Sequence, residues 1–465
     1  MFRKIAYNTG INFIAKIIAT ALGLIAVIIM TRYLGALGFG QYTIVIVYLQ
    51  FFGLMADMGL TLITSQMLAK YKGQEEKIIA NLFTFRLISA GIFLGLAPII
   101  VIFMPYAMPV KIGIFIATIS FLFIALNQIL IGFYQKNLLM LRASIGEVAG
   151  RVMLVAGVII AVALDGGLQG IVIATTLASI IQFLINYILS LPYIKIRFEF
   201  DKEVYKNIIK LSWPIAITIT FNIIYLKADT LILSLLKSES IVGLYGASYR
   251  VIDILVSLPF ILAGLALPQL TNALQNKNQA QFKSIMQNSF DIMVIIALPL
   301  VIGTQFVATP LMQLVAGEEF FASGPILQLL IFASGAVYLG VIFSHAIIAI
   351  EKQKQTIWAY ILVAITALIG YLIFIPKYSY FGAAAVTIYS EIMISLLIFG
   401  ITYYYTKFIP NFVITIKALI ACLIMAFGLY YFDLNLISSL IIAVTIYSLS
   451  FYLLAKNNLK MMLKN

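Results

Sequence analysis

Eleven charged side chains fall inside the long apolar runs of this 465-residue sequence. They are Lys16, Asp57, Arg86, Glu147, Arg151, Lys227, Asp229, Arg250, Asp253, Asp291 and Glu391. A charge facing hydrocarbon is costly, so each should face a protein interior or a water-filled cavity. Spacing sorts them. Glu147 and Arg151 stand at i, i+4, which predicts an intrahelical ion pair. Arg250 and Asp253 stand at i, i+3 near the middle of their run, where a pair and a pathway role are both open. Asp291 lies near the start of its run and reads as a charge at a helix N-terminus. Arg86 occupies the first turns of its run and can snorkel. Lys16 is two to three turns into the first run with no acid on its own helix. Its amine either snorkels inward or faces a cavity. Glu391 is near the midpoint of its run with no charge at i±4. It is either a neutral packed carboxyl or a proton- or cation-coupling group. Asp57 and Asp229 are placed toward the outer side. Lys227 and Asp229 are two residues apart, on different helix faces, and should not pair.

Several chemistries have no residues to carry them. The sequence has one histidine, His345, and one cysteine, Cys422. A zinc site, a metal cofactor and an intrachain disulfide are therefore not expected. No Walker A string occurs, so ATP hydrolysis at a P-loop is not expected. No catalytic residues and no cofactor are assigned. The connections predicted to lie outside are short, which argues against a membrane glycan polymerase or ligase.

The elements that must position these charges follow from composition. The chain is 63% apolar and 10% charged, with mean hydropathy +1.09. Soluble domains carry about 25% charged residues. Lipid must solvate much of this surface, so the expected fold is an all-α polytopic membrane protein. Fourteen apolar runs are long enough to cross a bilayer, from residues 8–34 and 40–65 at the start to 435–455 at the end. Backbone groups in lipid must bond internally, so each run should be helical. The first run follows Arg3 and Lys4, exceeds a signal-peptide core, and reads as a retained span.

The net charge of +13 is distributed as topology rather than as a nucleic-acid surface, and no nucleic-acid partner is expected. With the N-terminus inside, 21 of the 30 Lys and Arg fall on inner connections and termini and 4 on outer ones, Arg32, Lys111, Lys237 and Lys377. That bias predicts an N-in, C-in protein. The longest polar connection, Tyr193 to Lys210, is partly amphipathic and is expected along the inner membrane face. Phe39-Gly40-Gln41-Tyr42 is echoed by Val242-Gly243-Leu244-Tyr245, and Gly170, Thr175 and Ile180 by Gly382, Thr387 and Ile392. The echo suggests two parallel six-helix halves. The expected organisation is an N-terminal lobe over 1–192, a cytoplasmic amphipathic connection over 193–210, a C-terminal lobe over 211–406, and two extra helices over 407–465.

These strings resemble a known family. Thr31-Arg32-Tyr33-Leu34-Gly35 followed by Phe39-Gly40-Gln41-Tyr42 is similar to the opening of the O-antigen and capsule repeat-unit flippases. Those belong to the multidrug/oligosaccharidyl-lipid/polysaccharide (MOP) exporter superfamily. Asp57-Met58-Gly59-Leu60, Tyr225-Leu226-Lys227-Ala228-Asp229 and Val242 to Arg250 match further elements. The resemblance covers essentially the whole chain. It implies two pseudo-symmetric lobes around a cavity faced by spans 1, 2, 7 and 8, in the inner membrane. The implied task is moving a polyprenyl-pyrophosphate-linked oligosaccharide to the outer leaflet by alternating access, without enzymatic chemistry. Lys16, Lys227 and Arg250 fall on the implied cavity helices, and Arg86 and Arg151 are further cationic candidates for the substrate. Glu391, Asp57, Asp253 and Asp229 are the ion-coupling candidates. The implied partners are the lipid-linked oligosaccharide, membrane lipid, and a glycan polymerase and glycosyltransferases of one pathway. Span 1 carries only Lys16 before Arg32, whereas the lipid II flippase branch carries several arginines there. A repeat-unit flippase is therefore favoured. A cation-coupled multidrug exporter of the same superfamily is the alternative.

Overall fold

The computed structural model describes the backbone of residues 2–71, 73–431 and 435–462. Side chains are described from Ile14 on, apart from scattered positions within 62–70, 214–226 and 457–462. Lys72, Lys464 and the side chains of Arg3, Lys4, Lys70 and Lys460, all used in the charge bias, lie outside the described residues. The described secondary structure is helical throughout. The helices are α1 (Phe2–Asp57), α2 (Leu60–Lys70), α3 (Glu75–Ile102), α4 (Met108–Lys136), α5 (Met140–Ala163), α6 (Gly167–Ser190), α7 (Lys202–Leu236), α8 (Glu239–Gln275), α9 (Gln279–Ala316), α10 (Ser323–Ala349), α11 (Ile357–Thr406), α12 (Val413–Tyr431) and α13 (Leu436–Met462). Among the described residues, eleven helices are long and apolar enough to cross a membrane. The chain is a multi-pass helical membrane protein.

Two of those helices each carry two of the fourteen apolar runs. α1 has 56 residues, or about 84 Å at 1.5 Å per residue, nearly three hydrocarbon thicknesses of about 30 Å. It is divided at Gly35, whose φ of 63° and ψ of −175° are open to glycine without steric cost. α11, with 50 residues, is divided at Ser379 (φ 54°), three residues after Pro376. A serine there is in a region that costs a side-chain-bearing residue about 1–3 kcal/mol. The run 40–65, expected as one span, is also interrupted. Helix α1 ends at Asp57, Met58 and Gly59 turn through φ values of 46° and 78°, and α2 begins at Leu60.

The chain forms two compact units, Met1–Gly243 and Leu244–Asn465. The division falls inside α8 rather than at the connection 193–210, since α7 packs on α1, α2 and α3. In the first unit, helices cross where small residues allow it. A Cβ on Gly146 would stand 2.2 Å from Asn186 Oδ1, and one on Gly157 2.9 Å from the Ala174 Cβ. The two glycines matched by the sequence echo also meet. A Cβ on Gly40 would fall 1.7 Å from Glu239 O, and one on Gly243 2.0 Å from Ala36 O. The first turn of α8 therefore lies backbone to backbone on α1, and Gln41 Nε2 donates to Glu239 Oε2 at 2.7 Å beside it.

The amphipathic connection 193–210 is only partly helical, since α7 begins at Lys202. Residues 194–201 are without helix and are fastened to α3. The Glu199 N–H donates to Thr84 Oγ1 at 3.0 Å and the Asp201 N–H to Asn81 Oδ1 at 2.7 Å. Lys77 Nζ reaches Asp201 Oδ2 at 2.6 Å. Asp201 also caps α7 by accepting the Glu203 and Val204 N–H groups. The Lys77 hydrogen bond, with those caps, holds the Asp201 carboxyl below the usual carboxylate range.

In the second unit, tyrosines repair gaps that prolines make. Pro259 inside α8 has no N–H to give Leu255 O, the carbonyl four residues back. Tyr338 OH of α10 donates to that oxygen at 2.9 Å. Pro299 inside α9 likewise leaves Ile295 O, and Tyr447 OH of α13 donates to it at 2.7 Å. In hydrocarbon such a carbonyl has no water to turn to, so the hydroxyls both satisfy the backbone and fix α10 and α13 to their neighbours.

Candidate functional site

The sequence-selected charges separate into bonded and open groups. The bonded group centres on the break between α1 and α2. Asp57, the last residue of α1, accepts from the Gly59 N–H at 3.1 Å and from Thr61 Oγ1. Arg86 of α3 forms an ion pair with Asp57 and donates to Thr61 Oγ1 at 2.9 Å, Ala125 O at 3.1 Å and Ala56 O at 3.3 Å. Its side chain is 1% exposed. Arg86 therefore does not snorkel. The left-handed turn at Met58–Gly59 frees carbonyl and carboxylate oxygens at the end of α1, and the guanidinium is the donor that gathers them. Asp57 is thereby tied to the fourth turn of α3, where Arg86 stands.

Lys16 and Arg151 form the open group. Among the described residues no carboxylate pairs with either. Arg151 does not take Glu147 as its i, i+4 partner. Its guanidinium lies over α1, with Nη1 3.5 Å from where a Cβ on Gly23 would stand. The missing side chain at Gly23 leaves the space that Arg151 fills. Lys16 is seven residues before Gly23, hence on the same helix face and about 10 Å along it. Both side chains are exposed. Sequence reasoning overlooked Gly23, whose i+7 spacing from Lys16 was the available signal.

Lys227 is half-buried on α7, while Asp229 is fully buried and accepts from the Thr230 N–H at 2.5 Å. In the second unit Arg250 Nη1 and Asp253 Oδ2 are 4.0 Å apart on α8, at the outer limit of an ion pair, and 31% and 46% exposed. Asp291 is not a helix N-terminal charge. Helix α9 starts at Gln279, more than three turns earlier, and Asp291 is buried, accepting from Gln287 Nε2 at 2.9 Å. Gln287 in turn holds the loop before α12 through Asn411 N and O. Glu391 is buried at 7% exposure on the second half of α11. Its polar neighbour is Tyr360, which is hydrogen-bonded to Ser344 of α10. Neither residue was picked from the sequence, because tyrosine and serine in apolar runs give no signal of their own. His345 Nδ1 lies 2.9 Å from Val341 O and belongs to the packing of α10. Among the described residues, no three His, Cys, Asp or Glu side chains come together as a metal site.

Comparison with known proteins places this arrangement. The capsular polysaccharide biosynthesis protein CapF of Staphylococcus aureus is 24% identical over 215 residues, 46% of this chain, and the match spans about half (53%) of that protein's length. The lipid II flippase MurJ in an inward closed conformation superposes with a TM-score of 0.79 at 16% identity, covering 96% of this chain and 99% of that one. An inward-facing multidrug resistance MATE family transporter of the MOP superfamily gives 0.70 at 14% identity, covering 84% and 94%. The fold is that of MOP-superfamily transporters. A polysaccharide biosynthesis protein family model matches residues 5–273, more than half of the sequence. The chain belongs to the polysaccharide biosynthesis protein family.

Proposed function

We propose that this protein is a flippase for a polyprenyl-pyrophosphate-linked oligosaccharide, an O-antigen, capsule or exopolysaccharide repeat unit, carried from the cytoplasmic to the outer leaflet of the inner membrane by alternating access. One observation carries the reading. Lys16 and Arg151 stand exposed on the packed pair α1 and α5 of an apolar bundle, with no carboxylate paired to either among the described residues. A pyrophosphate entering hydrocarbon loses its water, and fixed cations are what can replace it. Arg86 is spent on Asp57 and serves the scaffold. Lys227 and Arg250 remain secondary candidates, since family resemblance rather than open geometry supports them. The charge bias supports an N-in, C-in orientation. Further support for parallel halves comes from Gly170 and Gly382, each of which packs tightly on the span before it, against Ala161 and Phe374. No catalytic chemistry is assigned.

The test is reconstitution in proteoliposomes with a fluorescent lipid-linked oligosaccharide whose outer-leaflet fraction is quenched by a membrane-impermeant reductant. Lys16→Ala and Arg151→Ala should each slow flipping at least ten-fold while the purified protein melts as wild type does. Wild-type rates in both variants would remove the site.

Glu391 favours one refinement, coupling to an ion gradient. It is a buried carboxyl with a tyrosine-serine pair beside it and no cation paired to it among the described residues. Glu391→Gln should abolish any dependence of flipping on an imposed proton or sodium gradient without changing the fold. An unaltered gradient response would exclude Glu391 from coupling.

A further inference from the structure

Apart from the charges on α1 and α5, the second unit has a groove with a defined wall and rim. It is a 340 Å³ cavity between the two halves of α11, lined among others by Trp358, Leu396, Gly400, Ile401, Tyr404 and Tyr405. Both halves belong to an apolar helix long enough to span a bilayer, and Leu396 and Tyr404 of the lining are 60% and 68% exposed. Its floor is open at Gly400, where a Cβ would meet no atom within 4 Å. Its wall carries Trp358, 51% exposed, and two tyrosines, the side chains that settle at the headgroup level of a bilayer.

The rim is basic. Lys352 Nζ lies 5.4 Å from the centre of the Tyr405 ring, and Lys407 Nζ lies 5.3 Å and 5.4 Å from the Tyr404 and Tyr403 rings. The aromatic faces hold both ammonium groups beside the groove without neutralising them. Lys354 is exposed on the same turn. Among the described residues no carboxylate pairs with these three lysines. Glu351 is the single acid in the segments 350–358 and 403–412 that form the rim.

We propose that this groove is a binding site for one anionic membrane phospholipid, its acyl chain over Gly400 and its phosphate held by Lys352, Lys354 and Lys407. Charge complementarity selects the occupant. Three unpaired cations above an apolar cleft, flanked by indole and phenol groups, match a negative headgroup on a hydrocarbon tail. A zwitterionic lipid would leave the cations without net compensation. The groove belongs to the second unit and Lys16 and Arg151 to the first, and the proposal does not depend on what the protein transports.

The chain has two tryptophans, Trp213 and Trp358, so Trp213→Phe leaves Trp358 as a reporter in the groove wall. The full-length protein is reconstituted in phosphatidylcholine vesicles containing a small fraction of acyl-brominated phosphatidylglycerol or acyl-brominated phosphatidylcholine. The phosphatidylglycerol should quench Trp358 more strongly at equal fraction. Each of Lys352→Ala, Lys354→Ala and Lys407→Ala should weaken that preference about five-fold, as expected for removal of one basic side chain near an anionic headgroup. Gly400→Phe, which fills the floor, should abolish it. Vesicles made wholly of brominated phosphatidylcholine check insertion, since every correctly folded variant is quenched there alike. Should Gly400→Phe fail that check, the lysine variants decide. Equal quenching by the two headgroups would overturn the proposal. So would a preference unchanged in the Lys352→Ala/Lys407→Ala double variant. Competition by a polyprenyl phosphate where phosphatidylglycerol fails to compete would also overturn it, and would give the groove to the carrier chain of the transported lipid.

Discussion

Arg86 and Arg151 are two arginines in apolar helices of the same unit, with opposite surroundings. Arg86 is almost fully buried, and a carboxylate, a hydroxyl and two backbone carbonyls receive its N–H groups. Arg151 lies across a glycine of α1 with an exposed guanidinium and no carboxylate paired to it among the described residues. A guanidinium has five donors in a fixed fork, and burial is tolerated only when most of them are met. The protein meets them for Arg86, whereas no carboxylate meets them for Arg151 among the described residues. A charge in a transmembrane bundle therefore marks a binding site only when its donors are uncommitted, which is a property of its neighbours and not of its position in the sequence.

That contrast is sharpest in stability. Arg86→Met strands the Asp57 carboxylate and should cost about 3–5 kcal/mol, the range for breaking one side of a buried ion pair. Arg151→Met should stay within about 0.5 kcal/mol. Denaturant unfolding in detergent measures both, and equal losses would erase the distinction. Asp57→Asn added to Arg86→Met removes the stranded charge and should recover much of the loss. If the double variant is no more stable than Arg86→Met alone, the pair is not the source of the effect.

A smaller effect is expected where a neutral donor serves the backbone. Tyr338→Phe leaves the Leu255 carbonyl bare and should destabilise by about 1–3 kcal/mol. Pro259→Ala restores a helical N–H to that carbonyl, so Tyr338→Phe should be nearly neutral in its background. The Tyr447→Phe and Pro299→Ala pair should behave in the same way. Additive losses in these double-mutant cycles would show that the hydroxyls do not act through the prolines.

The smallest effect belongs to the exposed Lys77–Asp201 contact. The folded carboxyl of Asp201 has a pKa below its unfolded value. Its contribution is therefore complete above the unfolded carboxylate range, about pH 4, and is lost as the pH falls through the lower folded value. Hydrogen-exchange protection factors at the Glu199 and Asp201 amides should be high at neutral pH and fall on acidification or in Lys77→Ala. The Lys77→Ala change should matter less at high salt. Amides indifferent to all three would mean that the backbone bonds to Asn81 and Thr84 fasten the segment alone.

Much of the helical layout was legible in the order of the residues. Runs of some twenty apolar side chains leave the backbone no partner but itself, so the helices appear where the runs do. Gly40 and Gly243 were visible as members of a sequence echo, but that their backbones meet was not. The break near Ser379 was legible as the boundary between two apolar runs, but the left-handed turn itself was hidden, because serine has no local need for one. Partner choice was hidden too. The i, i+4 spacing of Glu147 and Arg151 suggested a pair, yet no such pair forms among the described residues. Asp57 and Arg86, separated by a turn and a helix, form one.

Hydrophobicity and backbone bonding act within each segment, so the order of the residues alone requires a bundle of membrane-spanning helices. Which charges the scaffold consumes, and which it leaves without a carboxylate partner, depends on the packed fold. Ion pairing depends on which helices lie side by side, and that is settled by the packing of glycines, alanines and apolar side chains that carry no charge at all.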